Sequence, residues 1–205
     1  DSGYPVSAKQ SALITESYLR DRARKASGYL TEASVRTFSA DALLREKRAA
    51  NLGLTYDIFL SHASEDAIVI KALRDELVEQ GYTVYVDWID DPQLDRTHVT
   101  KETAAVLRER MRNCRSLLFA TSTAARNSVW MPWELGYVDA KTGSRVAIAP
   151  IVPDADAASD FRGQEYLGLY PYLDKSGSTL YIHASGREWV NFKDWIAGKN
   201  PIRMT

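Results

Sequence analysis

The stretch Tyr56-Asp57-Ile58-Phe59-Leu60-Ser61-His62-Ala63-Ser64-Glu65-Asp66 decides how the rest of the chain is read. Tyr56 to Leu60 is short, apolar and β-branched or aromatic, which predicts a strand. Ser64-Glu65-Asp66 then opens a helix whose Val69, Leu73 and Leu77 recur on one face, and Gly81 ends it. Downstream the same alternation repeats. Thr83–Asp87 predicts the next strand, and Asp90 to Arg96, with Pro92 and clustered aspartates, predicts a loop. Ala104, Leu107, Arg108 and Met111 follow at helical spacing. Ser116–Ala120 predicts a third strand, Trp130–Lys141 a helix closed by Gly143, and Arg145–Val152 a fourth strand. Leu180–Ile182 predicts a fifth strand and Trp189–Ala197 a last helix.

Strands alternating with helices imply βαβ units, hence an α/β fold with about five parallel strands and helices on both faces. An unbroken apolar run such as 145–152 fits a strand buried on both sides. Upstream, the character changes. Residues 1–54 carry nine Lys/Arg and six Asp/Glu, a balance of +3, whereas the remainder carries 17 against 21, a balance of −4. Leu13, Ile14, Tyr18 and Leu19 mark an apolar stripe within Ser7–Ser27. Ala42, Leu43, Leu44 and Ala49 suggest a second helix, with Gly28 and Gly53 as stops. The expected division is an N-terminal helical segment, 1–54, and a main domain with a C-terminal extension, 55–205. The helices either cover one side of the main domain or act as a docking arm.

Composition narrows the function. The chain has 205 residues, with 26 Lys+Arg against 27 Asp+Glu, so its net charge of −1 argues against nucleic-acid or polybasic membrane binding. Cys114 is the one cysteine, which excludes an internal disulfide and a cysteine zinc cage. No run of about 18 apolar residues exists to span a membrane, and Asp1–Pro5 lacks the features of a secretion signal. The expectation is a soluble cytoplasmic protein. No glycine-rich phosphate loop and no G-x-S-x-G elbow occurs, and His62, His98 and His183 are scattered, so no metal is expected.

In open parallel sheets, ligands sit beyond the carboxyl ends of the strands. The candidates there are Ser61, His62, Asp87, Trp88, Thr121 and Ser122. A further block, Asn127 to Tyr137, holds Trp130 and Glu134 one helical turn apart. Pro132 places both near the helix start. From spacing alone, Trp130 is a core aromatic and Glu134 an acid suited to the helix dipole, or the pair belongs to a site.

The 56–66 box resembles the opening box of Toll/interleukin-1 receptor (TIR) homology domains, and Trp130-x-x-x-Glu134 resembles the W-x-x-x-E motif of their NAD-cleaving members. Val84–Asp87 is similar to the second strand and 88–99 to the mobile loop behind it. Asp91-Pro92-Gln93 stands where receptor-type members commonly carry Pro-Gly. The resemblance implies a flavodoxin-like fold and the bacterial type used in antiphage defence. It implies an NAD+ glycohydrolase or ADP-ribosyl cyclase that releases nicotinamide and makes ADP-ribose or a cyclic isomer. Glu134 would be catalytic, with Ser61, His62, Asp87, Trp88, Ser122 and Trp130 lining the substrate cleft. NAD+ would be a substrate and no cofactor is implied. The family also implies a homo-oligomer formed through the 88–99 loop and a downstream effector that senses the nucleotide product. Two other readings are a TIR scaffold without catalysis, in which Glu134 is structural, and a nucleoside deoxyribosyltransferase-like enzyme.

Overall fold

The computed structural model describes residues 12–27, 55–92, 94, 98, 100–122, 125, 128–142, 145–157, 161 and 165–203. The second N-terminal helix expected around Ala42–Ala49, and the stops at Gly28, Gly53 and Gly143, lie outside them.

Five parallel strands form the centre: β2 (Tyr56–Ser61), β3 (Val84–Tyr85), β4 (Cys114–Thr121), β5 (Val146–Val152) and β6 (Tyr172–Ser176). Their order across the sheet is β3-β2-β4-β5-β6. This is the flavodoxin-like order, with its reversal between β2 and β4. The chain moves outward from β2 to β3, then returns to the other side of β2 for β4. Alternate residues feed two cores. Ile58, Leu60, Leu118, Ala120, Ala147 and Ala149 face one side, while Phe59, Leu117, Phe119, Val146 and Ile148 face the other.

Helix α2 (Ala67–Glu79) buries Val69, Ile70, Leu73 and Leu77 against the first face. Gly81, at φ +92°, supplies the left-handed residue that turns the chain out of it. On the second face lie α4 (Lys101–Arg112), through Leu107 and Met111, and α5 (Trp130–Thr142), through Met131, Leu135 and Val138. The Thr100 side chain caps α4 by accepting from Thr103 N at 3.0 Å.

Several elements differ from the sequence reading. The strand expected over Thr83–Asp87 is confined to Val84–Tyr85, and Asp87–Asp90 forms the short helix α3. Asp90 stabilises that turn, its carboxylate accepting from Val86 N at 2.6 Å. The fifth parallel strand is Tyr172–Ser176, and Leu180–Ile182 belongs instead to β7 (Thr179–Ser185), antiparallel to it. Trp189 and Val190 lie in β8 (Glu188–Asn191), so the last helix, α6, is only Phe192–Ile196. The Asn191 side chain caps it by accepting from Lys193 N at 2.9 Å. A short β9 (Ile202–Arg203) ends the antiparallel extension.

Residues 12–27 join the same body. β1 (Ile14–Thr15) pairs in parallel with Ile151 and Val152 of β5. Helix α1 (Glu16–Ser27) then packs along α2, with Leu19 fully buried. Its Tyr18 hydroxyl donates to Glu76 at 3.1 Å, and Lys175 of β6 bonds both Tyr18 and Glu76. Among the described residues no helix is long and apolar enough to cross a membrane.

Candidate active site

The reversal between β2 and β4 opens the sheet at the carboxyl ends of these strands, and Ser61 is the last residue of β2. Its hydroxyl donates to Glu134 Oε2 at 2.6 Å, although the two are 73 positions apart. Both side chains have 0% exposure. That length lies in the range of charge-assisted O–H···O⁻ bonds, about 2.5–2.7 Å. Burying a carboxylate costs several kcal/mol unless it is hydrogen-bonded, so the serine has a defined electrostatic task. Helix α5 delivers Glu134 one turn from its amino end, where the helix dipole favours negative charge. Ser128 starts that helix, accepting from Met131 N at 3.3 Å, and Pro132 falls in the first turn, where its missing N–H costs nothing.

Beside this pair, the buried His62 ring spans two oxygens. Its Nδ1 lies 2.9 Å from the Leu60 carbonyl, and its Nε2 lies 3.3 Å from Asp87 Oδ1. Both nitrogens of a protonated ring would find an acceptor there. Asp87 is itself buried, at the start of α3. The far end of α3 is anchored too. Asp91 takes a two-pronged contact from Arg110, at 2.7 and 3.0 Å, and accepts from the Tyr85 hydroxyl at 2.9 Å. The hydrogen bond that Arg110 donates to Asp91 holds its guanidinium more firmly protonated than usual, while burial first, then the Asp91 charge, pushes the Tyr85 phenol well up.

Ser122 follows the end of β4 and donates to the carboxylate of Asp66. Ser122 Oγ in turn accepts from Ala125 N at 3.1 Å. Asp66 is half-buried. Desolvation raises its pKa above the usual 3.8, and the Ser122 hydrogen bond and the nearby His62 oppose that rise. Asp66 was not among the residues singled out from sequence. The signal was present in Ser64-Glu65-Asp66, but acids at a helix start already have an explanation in the dipole.

Trp130 and Trp88 pack into the two cores on either side of the sheet. Trp130 is buried in the α4/α5-side core, edge-on to Trp133 at 5.6 Å. Trp133 stacks on Tyr137 and lies under the Arg108 guanidinium, 5.9 Å from the ring centre. Trp130 thus braces the helix that carries Glu134. Trp88 packs against the opposite, α2-side core, with its indole N–H buried and without a hydrogen-bond partner among the described residues. The contacts therefore bring together Ser61 with Glu134, His62 with Asp87, and Ser122 with Asp66. Among the described residues no three His, Cys, Asp or Glu side chains group to hold a metal ion.

Residues 58–197 match the sequence model of the TIR domain. The chain is 50% identical, over 147 residues, to a Bacillus cereus (strain MSX-D12) protein named as a candidate 3' cyclic ADP-D-ribose synthase, ThsB'. That match covers 69% of this chain and 75% of the relative. A second relative, from Cytobacillus dafuensis and named as a candidate cyclic ADP-D-ribose synthase, TIR2, is 28% identical over 130 residues. There the match covers 60% of this chain and only 34% of the relative.

Proposed function

The chain belongs to the TIR domain family, and from that premise we propose that it cleaves NAD+ between nicotinamide and ribose and closes a cyclic ADP-ribose, with ADP-ribose as the competing linear product. The observation that carries this reading is the Glu134 carboxylate, held by Ser61 at the switch point of the sheet. The names of the two relatives support the cyclic product.

The chemistry needs few groups. Most glycosidases use two carboxyl groups because their leaving oxygen must be protonated. Nicotinamide leaves a cationic pyridinium as a neutral molecule, so no acid is required for the bond to break. A single carboxylate beside the ribose holds its hydroxyls and stabilises the positive charge that grows on the sugar. Glu134 fills that role, with Ser61 fixing the carboxylate in place. His62, Asp87 and Ser122 line the cleft above, Trp88 flanks it from α3, and Trp130 supports α5. An attacking hydroxyl of the same substrate gives the ring, and water gives the linear product.

Because Glu134 is fully buried, substrate entry requires the cover to open. The 88–99 loop is the gate in this reading, and its root is the α3 turn fastened to Arg110 and Tyr85. A neighbouring copy's loop completes the cleft, so the active species is a homo-oligomer. Residues 55–205 form the catalytic domain with its C-terminal extension, and 1–54 an N-terminal segment. The product serves as a messenger to an effector in antiphage immunity. Incubating concentrated, assembled protein with NAD+ and separating nicotinamide, ADP-ribose and cyclic products by chromatography tests the proposal. Nicotinamide together with a cyclic product is expected; assembled protein that leaves NAD+ intact contradicts it.

A further inference from the structure

Ring closure poses a problem that bond cleavage does not. An attacking hydroxyl must lose its proton, and it belongs to the other end of the dinucleotide, away from the ribose held by Glu134. Glu134 is sealed at the floor with 0% exposure. Asp66 is half-buried, five residues beyond the end of β2, and in contact with Ser122 just past β4. Ser122 engages Oδ2 of Asp66, and among the described residues no hydrogen bond engages Oδ1. One oxygen is thus fixed and the other is open to a donor. We propose that Asp66, oriented by Ser122, accepts the proton of the substrate hydroxyl that closes the ring, and so decides between cyclic and linear product.

The inference rests on the reading of NAD+ cleavage above. The step balances within the substrate and this carboxylate. The carbon–nitrogen bond to nicotinamide breaks and its electron pair leaves with the neutral base. A hydroxyl lone pair forms the new carbon–oxygen bond. The proton moves to Asp66, and water later carries it away. Desolvation makes this carboxylate a better proton acceptor than an exposed aspartate. The titratable groups around it are His62, which opposes that rise, and Glu65 and Glu16, which add to it.

The test compares Asp66→Asn, Asp66→Glu and Ser122→Ala with the parent protein, measuring cyclic product, linear product and nicotinamide in the same reactions. In Asp66→Asn the ratio of cyclic product to nicotinamide should fall about ten-fold or more. Asp66→Glu should recover part of the ratio, and Ser122→Ala should fall between parent and Asp66→Asn. An unchanged ratio in Asp66→Asn overturns the assignment. So does complete loss of nicotinamide release from folded Asp66→Asn, which would place the residue in bond cleavage, or a parent protein that yields only ADP-ribose. Failure of the Glu134 reading is separable, since it appears as nicotinamide release persisting in Glu134→Gln whatever happens to the ratio.

Discussion

Replacing Ser61 by alanine removes one oxygen from a fully buried contact and changes little else in volume. The lost bond, Oγ to Glu134 Oε2 at 2.6 Å, is made to a carboxylate. Hydrogen bonds to charged groups contribute about 1.5–3 kcal/mol, against about 0.5–1.5 for neutral pairs. Ser61→Ala should therefore lower the unfolding free energy by about 2 kcal/mol. For a domain of this size that corresponds to a fall in Tm of about 4–8 °C. Urea denaturation of the parent, Ser61→Ala, Glu134→Gln and the double variant closes a cycle. In the Glu134→Gln background the same serine faces a neutral acceptor, so its removal should cost only about 1 kcal/mol. The coupling between the sites is then about 1 kcal/mol. A Ser61→Ala variant within about 0.5 kcal/mol of the parent, or effects that simply add, would refute the idea that the serine stabilises a charged Glu134.

Lys175→Met should be more damaging than Tyr18→Phe, because it leaves the buried Glu76 carboxylate without its cation. A loss of about 3–5 kcal/mol is expected against about 1 for the phenol, read from urea midpoints. Asp66→Asn should stabilise the fold slightly at neutral pH. The Asp66 pKa is raised in the fold, so its contribution is fully present below the unfolded value of 3.8 and is lost as pH rises through the folded value. The variant's advantage, a few tenths of a kcal/mol because solvent screens a half-exposed group, should therefore vanish below about pH 3.8 in thermal melts. Burial pushes the Cys114 thiol far above its usual 9.0. Iodoacetamide at pH 8 should leave it unmodified in the folded protein and label it after unfolding in urea.

The parallel centre was legible because its strands are buried on both faces. Runs such as Ile58–Leu60 and Val146–Ile151 show no polar interruption, and few other structures accommodate that. The fifth strand was not legible for the opposite reason. Tyr172–Ser176 carries Asp174 and Lys175 in its middle, which reads as loop. Both find partners on other elements, Asp174 with His183 of the adjoining β7 at 3.0 Å and Lys175 with Glu76 of α2, 99 positions away. The hairpin that follows was signalled only by Gly177, at φ +60°, where β6 turns into β7. Similarly, Trp189 and Val190 fit a helical stripe as well as a strand, and pairing with His183 and Ile182 decides the matter.

For the candidate residues, strand-end position was readable but partnerships were not. Strand-end position picked out Ser61, His62, Asp87 and Ser122. Nothing in the spacing linked Ser61 to Glu134, since that contact depends on β2 and α5 meeting across the reversal of the sheet. Asp66 was passed over because a first-turn acid satisfies a local rule, and its bond to Ser122 comes from β4 closing against the turn before α2. Trp130, by contrast, behaves as helical spacing alone suggests, as a buried aromatic.

The central claim is tested most directly by the rate of nicotinamide release from NAD+ by assembled parent protein and by assembled Glu134→Gln of verified fold. Loss of charge stabilisation at the ribose predicts a fall of at least about a hundred-fold in that rate. Glu134→Gln turning over NAD+ at the parent's rate would contradict the account.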